Sequence, residues 1–298
     1  MTDWLERLRA GPALLLDGAT GTELERRGAK SALPLWSAQA LLHDPALVGR
    51  IHADYVEAGA ELLTANTFRT QRRTLERGRV GEQAAALTAR AVALARAAAA
   101  GGDRRVRPVR PVHVLGSAPP LEDCFRPDLV PDDDSLASEH GEHAANLSAA
   151  GVDAILVETM NTIREALAAL RAARATRLPV LVSFVCWDGP RLLSGELLHE
   201  AVAAVRAEQP TALLANCLPP SNVAACLAVL AESGLPFGVY ANLGAPIDER
   251  GRERSEDCAP ERFAAHAASW LAAGATLVGG CCGTTPAHIR GIAQQMRS

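Results

Sequence analysis

Eight short apolar runs divide the sequence, and most are apolar throughout rather than alternating. They occupy residues 13–19, 61–68, 112–118, 154–160, 180–186, 212–217, 237–243 and 276–282. Continuous apolar runs are expected of parallel strands that are covered on both faces. Amphipathic or alanine-rich stretches lie between them, at residues 45–60, 81–100, 163–176, 198–209, 222–234 and 260–275. Helices of this kind return the chain for the next parallel strand.

Eight strand–helix units in 298 residues predict the α/β class and, within it, a TIM (β/α)8 barrel. The composition is 48% hydrophobic, which is enough for a large core. No low-complexity linker divides the chain, so residues 1–298 are interpreted as one barrel domain. A doubly wound open sheet is the structural alternative, because one miscounted strand would produce that pattern instead.

Charge and termini restrict the partners that we expect. A formal net charge of −4 argues against nucleic acid as the main partner, and the arginine-rich run at residues 101–110 is short enough to be a solvated connection. The apolar run near the N-terminus is too brief for a secretory signal or a membrane span. We therefore expect a cytoplasmic protein that acts on small molecules without a membrane, while its oligomeric state is undetermined.

Seven cysteines in a reducing compartment are better interpreted as metal ligands, nucleophiles or core residues than as a disulfide framework. Cys217 follows the sixth apolar run, whereas Cys281 and Cys282 end the eighth. The carboxyl ends of barrel strands surround one mouth, so three thiols are expected to converge there. Three thiolates with no fourth protein ligand are typical of a catalytic zinc site.

Other interpretations of these cysteines stay open. Neighbouring residues on a strand point to opposite faces, so Cys281 and Cys282 could converge only if the chain bends, and Gly279, Gly280 and Gly283 allow a bend. The adjacent pair could instead form a vicinal disulfide, with Cys217 a buried core residue. The remaining cysteines show no such convergence and are expected in the core or on the surface: Cys124, Cys186, Cys226 and Cys258.

Two carboxylates also follow predicted strands, Asp17 after the first and Glu158 within the end of the fourth. Paired carboxylates can perform acid–base chemistry or bind an ammonium group, and the second role is simpler beside a thiolate-bound metal. The stretch DGATGTE at residues 17–23 offers backbone N–H groups suited to a carboxylate. A helix N-cap for Asp17 and a salt bridge for Glu158 are the structural alternatives.

Two long connections follow predicted strands, at residues 119–135 and 244–260. Both leave the carboxyl end of a strand, which is where barrels carry their active sites. We expect them to form walls or lids of the site.

With these residues in view, the chain resembles the homocysteine S-methyltransferase family, the zinc-dependent barrels that methylate homocysteine to methionine. The resemblance runs nearly end to end. It includes LLLDGATGTELERRG near the N-terminus, VETM at the fourth strand, ANC at the sixth and LVGGCCGTTPAHIRGIA near the C-terminus. The double cysteine together with the distant Asn-Cys pair is the most specific part.

The resemblance implies roles for individual residues. Cys217, Cys281 and Cys282 would ligate Zn²⁺, and Asp17 with Glu158 would hold the ammonium group of homocysteine. Further substrate contacts would come from Gly18 and Thr67 at the carboxylate, with Asn216 a near neighbour of the site. The homocysteine sulfur would take the open zinc position as a thiolate and attack an activated methyl group.

The connection after the third strand departs from the family pattern, because APPLEDCFRPDL (residues 118–129) replaces a stretch rich in Gly and Tyr. Small single-barrel members typically use S-methylmethionine or S-adenosylmethionine, so a sulfonium is the expected methyl donor. The alternatives are betaine as donor, another thiol or selenol as acceptor, and a zinc barrel that performs hydrolysis instead.

Overall fold

The computed structural model describes residues 3–101, 111–243 and 259–297. Every pair of neighbouring strands in it is parallel, in the sheet order β1-β8-β7-β6-β5-β4-β3-β2. A parallel bridge between Leu16 and Leu62 joins the first strand to the second and closes the ring. The strands are β1 (Leu14–Leu15), β2 (Leu62–Ala65), β3 (His113–Ala118), β4 (Ala154–Met160), β5 (Val180–Val185), β6 (Ala212–Asn216), β7 (Phe237–Ala241) and β8 (Leu277–Gly280). The predicted barrel is confirmed, and the open-sheet alternative is wrong.

Helices connect consecutive strands around the outside of the ring. The six predicted helical stretches correspond to α4, α6 and α8 to α11, with ends that agree within a few residues. The helices are α1 (Asp3–Ala10), α2 (Gly21–Arg26), α3 (Ala38–His43), α4 (Pro45–Ala58), α5 (Arg72–Arg77), α6 (Ala84–Gly101), α7 (Asp133–Ala150), α8 (Ile163–Ala175), α9 (Leu198–Ala207), α10 (Val223–Ala231), α11 (Pro260–Ala272) and α12 (Pro286–Gln295).

Capping residues fix both ends of α7, the helix that follows the connection after β3. The side chain of Asp132 accepts a hydrogen bond from the Ser135 N–H and caps α7, which ends at Gly151 in a left-handed conformation. The predicted connection at residues 119–135 therefore ends where α7 begins. Most of the second long connection, and Cys258 and the arginine-rich run, lie outside the described residues.

The first helix was not anticipated from the sequence, and it closes the amino end of the barrel. Trp4 and Leu8 of α1 are 1% exposed and pack against the innermost leucines of the strands, including Leu14 and Leu277. A larger apolar layer lies between the sheet and the outer helices. Apolar side chains thus plug the amino end of the barrel, and the described cavity lies at the carboxyl end.

Side chains inside the barrel change character along the strands. Inward residues near the amino ends are apolar, such as Leu115, Leu156 and Leu214. Ser117, Glu158 and Asn216 lie two residues further along the same strands. Their side chains also point inward, because side-chain direction on a strand repeats every two residues. The barrel interior thus has an apolar layer at its amino end and a polar layer at its carboxyl end. No helix among the described residues has the length and apolarity needed to cross a membrane.

Candidate active site at the carboxyl end of the barrel

The three predicted cysteines meet at the open mouth. Their Sγ atoms all lie within 4.8 Å of one another, and those of Cys217 and Cys281 are 2.8 Å apart. Cys217 is buried, and Cys281 and Cys282 are half-buried. No disulfide joins the six cysteines that the structure describes, so the vicinal disulfide is not the state seen here.

Bent backbone brings these sulfurs together. Cys217 has a φ of 54°, in the left-handed region, so the chain turns immediately after β6. After β8, the Thr284 N–H and hydroxyl both donate to the Cys281 carbonyl, at 3.1 and 2.7 Å, and Gly283 has a φ of 86°. A glycine at this last position accommodates a turn that other residues rarely adopt.

The donor set fits a thiophilic metal ion. Hydrogen bonds with Cys281 and Cys282, together with burial, raise the pKa of the Cys217 thiol well above its ordinary value. Three thiols this close would repel one another as thiolates, and a divalent cation among them would remove that penalty. Sulfur ligands favour Zn²⁺ or another soft ion over Mg²⁺ or Ca²⁺.

Asp17 and Glu158 face the same cavity and are both buried, at 3% and 7% exposure. Burial raises the pKa of Asp17 to about 8, with a contribution from the charge of Glu158, although the Thr64 N–H donates to its Oδ2 at 2.9 Å. Burial also raises the pKa of Glu158 to about 7. A bound cation would stabilise the ionised forms of these two buried carboxylates and so would lower the pKa of each.

Glu158 is held by residues that the sequence did not single out for this purpose. The Ser117 hydroxyl donates to Oε1, and the Tyr240 hydroxyl donates to Oε2 at 3.0 Å. Ser117 and Tyr240 lie at inward positions of β3 and β7. Ser117 comes two residues after the inward Leu115, so the alternation of side chains along a strand could have placed it inside the barrel from the sequence.

Thr67 lies behind the cavity wall rather than on it. Its hydroxyl donates to the Ser117 carbonyl at 3.0 Å and accepts from the Ser117 N–H at 2.9 Å, and the side chain is fully buried. In this geometry the hydroxyl supports Ser117, which in turn contacts Glu158, and it does not itself face a ligand. The contact expected between Thr67 and the substrate carboxylate stays a prediction.

Asn216 is also committed to the protein. Its Oδ1 accepts from the Ser183 hydroxyl at 2.6 Å and the Thr159 N–H at 3.1 Å, and its Nδ2 donates to the Thr159 hydroxyl at 2.9 Å. Thr159 has a φ of 60° and lies in an irregularity of β4, directly after Glu158. Asn216 thus links the turn beside Glu158 to the turn at Cys217, as a near neighbour of the site.

Gly18 does line the cavity, and its N–H has no acceptor among the residues that the structure describes. A Cβ at this position would stand 2.8 Å from the hydroxyl oxygens of Tyr55 and Thr284. Glycine is required here because the backbone packs so closely against these two side chains.

The cavity above these groups has a volume of about 750 Å³. Its upper wall is aromatic: the rings of Phe125 and Trp187 lie 5.0 Å apart, and the Trp187 Nε1–H donates to the Cys217 carbonyl at 2.9 Å. Cys124, expected as a core or surface residue, also lines this wall, and burial raises its pKa to about 12. None of the cavity-lining residues that the structure describes is a histidine.

Three thiols converge at the open end of a (β/α)8 barrel, the end at which barrel enzymes carry their active sites. The protein is therefore of the barrel-enzyme class, with a site that suits a soft metal ion. The family model described as homocysteine S-methyltransferase matches residues 14–296. The chain therefore belongs to the homocysteine S-methyltransferase family, and the methyltransferase class inferred from the sequence is confirmed.

Individual relatives agree along almost the whole chain. Homocysteine S-methyltransferase of Escherichia coli K12 is 36% identical over 293 residues, covering 94% of each chain. Selenocysteine Se-methyltransferase of Brassica oleracea var. italica is 30% identical and covers 97% of this chain and 90% of its own. The crystal structure of the E. coli homocysteine methyltransferase MmuM in its metallated form superimposes with a TM-score of 0.84 at 32% identity, covering 98% and 99%.

Proposed function

We propose that this protein transfers a methyl group from a sulfonium donor to the sulfur of L-homocysteine, giving methionine, with Zn²⁺ held by Cys217, Cys281 and Cys282. The observation that carries the proposal is the convergence of these three thiols beside the buried carboxylates of Asp17 and Glu158. A metallated relative supports a metal at this site, and the all-sulfur donor set favours zinc among the common ions.

Binding of the acceptor amino acid is assigned to the protein's own groups. Asp17 and Glu158 would hold its ammonium group, which restores the ionised state that burial opposes. The Gly18 N–H would donate to its carboxylate, while Thr67 acts through Ser117. Asn216 keeps Glu158 and Cys217 in place through Thr159.

When bound, the zinc ion would lower the pKa of the acceptor thiol so that the sulfur is a thiolate at neutral pH. That sulfur would form a bond to the methyl carbon while the bond from carbon to the donor sulfur breaks. The electron pair stays on the donor, which leaves as a neutral thioether, and no acid is needed. Because the cavity walls hold both substrates together, proximity supplies much of the acceleration.

The upper wall is assigned to the methyl donor. Phe125 and Trp187 line the cavity, and a sulfonium cation is attracted to the faces of aromatic rings. We favour S-methylmethionine over S-adenosylmethionine and betaine. A cytoplasmic location belongs to the same proposal, since thiol ligands require a reducing compartment.

A selenol acceptor is the second candidate, because two of the curated relatives are selenocysteine methyltransferases at 30% and 31% identity. Hydrolysis is less suited to this cavity, where no histidine is placed among its described lining residues to activate water.

The test is turnover by purified, zinc-loaded protein with a panel of donors and acceptors. We expect methionine to form from homocysteine and S-methylmethionine, with slower turnover of S-adenosylmethionine. Turnover with betaine alone would contradict the donor assignment and leave the acceptor site intact. Preference for selenocysteine over homocysteine would establish the second candidate.

A further inference from the structure

One arginine in the cavity wall, Arg69, has no part in the function proposed above. Two arginines line the cavity, and Arg126 is ion-paired with Asp128 at 2.6 Å. Arg69 makes no hydrogen bond or ion pair with any residue that the structure describes, and its Nε is buried without a partner. A buried donor of this kind without an acceptor is unfavourable unless a ligand supplies one.

Neighbouring residues hold the Arg69 guanidinium at the wall. It lies over the Phe68 ring, 5.4 Å from the ring centre, and Phe68 packs edge-on against Trp36 at 6.3 Å. Its positive charge also acts to lower the pKa of Cys124, which lines the cavity from the connection after β3. Arg69 is therefore placed between the β2 end and the aromatic wall.

The charges of the cavity make this cation significant. Its described lining includes four acidic residues, Asp17, Glu25, Asp123 and Glu158, against the two arginines. Homocysteine and S-methylmethionine each carry an α-carboxylate, which these acidic residues would repel once the ammonium group has restored the ionised forms of Asp17 and Glu158. An arginine without an internal partner offers the fork of N–H donors that matches a carboxylate.

We propose that Arg69 binds the α-carboxylate of an amino-acid substrate in this cavity. The inference rests on the proposed function, since that function supplies two substrates with this group. The carboxylate could belong to the acceptor, in addition to the Gly18 N–H, or to the sulfonium donor. Both sources share one chemistry, and matched analogues that lack the carboxylate separate them.

The experiment compares zinc-loaded wild-type protein with Arg69→Gln and Arg69→Lys. Acceptors are homocysteine and 3-aminopropanethiol, and donors are S-methylmethionine and (3-aminopropyl)dimethylsulfonium. We expect Arg69→Gln to raise the KM of one carboxylate-bearing substrate about tenfold to a hundredfold, with its carboxylate-free analogue changed less than about twofold. Arg69→Lys should lose less, because it keeps the charge.

Arg72→Gln is the matched control, because Arg72 begins α5 three residues away and is ion-paired with Glu142 outside the cavity. It should leave every KM unchanged. Unchanged KM values in Arg69→Gln, or equal losses for substrates with and without the carboxylate, would overturn the inference.

If wild-type protein turns over no sulfonium, the proposed donor fails. Calorimetric binding of homocysteine and 3-aminopropanethiol then decides whether Arg69 holds the acceptor carboxylate, and equal binding by wild type and variant would overturn it.

Discussion

The lower and upper parts of the cavity are built differently. We call the residues at the strand ends, Asp17, Glu158, Cys217, Cys281 and Cys282, the floor of the site. They are buried or half-buried and follow strands whose backbones are paired on both sides. The upper wall, formed by the aromatic residues Trp36, Phe68, Phe125 and Trp187, lies on connections, and all four side chains are only partly buried.

This difference separates two tasks. The barrel strands fix the positions of the floor residues, and the thiols and carboxylates at these positions carry the proposed metal and ammonium binding. The upper wall depends on connection sequences, which vary without disturbing the sheet. We infer that the floor determines the acceptor and that the upper wall determines the donor.

Removing a thiol should have the largest effect. Cys217→Ala, Cys281→Ala or Cys282→Ala should each abolish zinc retention and methyl transfer with modest loss of fold, because three ligands cannot be replaced by two. Metal analysis after dialysis and circular dichroism measure both consequences. Cys226→Ala is the control, since Cys226 is buried between sheet and helices and should keep its zinc. Full activity of a zinc-free floor variant would contradict the assignment.

Changing a floor carboxylate should weaken the acceptor and leave zinc in place. Asp17→Asn and Glu158→Gln each remove one charge-assisted interaction with the ammonium group, worth about 1.5–3 kcal/mol. We expect the homocysteine KM to rise roughly tenfold to a hundredfold, with the donor KM little changed. Wild-type protein that accepted thiols without an ammonium group equally well would refute this role.

The upper wall should show the opposite selectivity, with a smaller effect. Phe125→Ala removes one aromatic face, and a cation–π contact at a partly exposed position contributes about 0.5–1 kcal/mol. The donor KM should rise about two- to fivefold, and the homocysteine KM should not change. Arg126→Gln should change the donor KM less, because Arg126 is exposed and ion-paired with Asp128. A larger change in the acceptor KM would remove the distinction between floor and wall.

Titration of the floor should appear in the stability of the metal-free, substrate-free protein. The folded pKa of Asp17 is raised from 3.8 to about 8, so the folded state retains a proton that the unfolded chain releases. Folding stability should therefore fall as pH rises from about 4 to 8 and level off above that range. Asp17→Asn should lose part of this slope in denaturant titrations. An unchanged slope would show that Asp17 does not titrate as described.

Much of the fold could be predicted from the sequence, because buried parallel strands leave continuous apolar runs. The count of eight units was right, and so was the convergence of Cys217 with the pair after β8. The apolar pattern did not reveal α1, whose Trp4 and Leu8 plug the barrel, or α7, whose apolar residues form no clear stripe at the helical period. Helices held mainly by tertiary contacts leave a weaker local pattern.

Side-chain direction beyond the strand ends was harder to predict. The period of two places Ser117 and Asn216 inside the barrel, but it breaks at Thr159 and Cys217, where the backbone adopts left-handed angles. Thr67 follows β2 in the sequence and was expected to contact substrate, yet its hydroxyl turns toward Ser117. Arg69 carried no sequence signal, because the missing partner of a cation is visible only in three dimensions.

Binding of zinc by Cys217, Cys281 and Cys282, with the homocysteine sulfur as fourth ligand, is tested most directly by X-ray absorption at the zinc edge. Spectra are recorded before and after homocysteine is added. We expect three sulfur neighbours at about 2.3 Å in the zinc-loaded protein and a fourth sulfur after homocysteine is added. Cys226→Ala should give the same two spectra. Fewer than three sulfur neighbours in the zinc-loaded protein would contradict the three-cysteine zinc site. A spectrum that gains no sulfur from homocysteine would contradict the open position for the substrate sulfur.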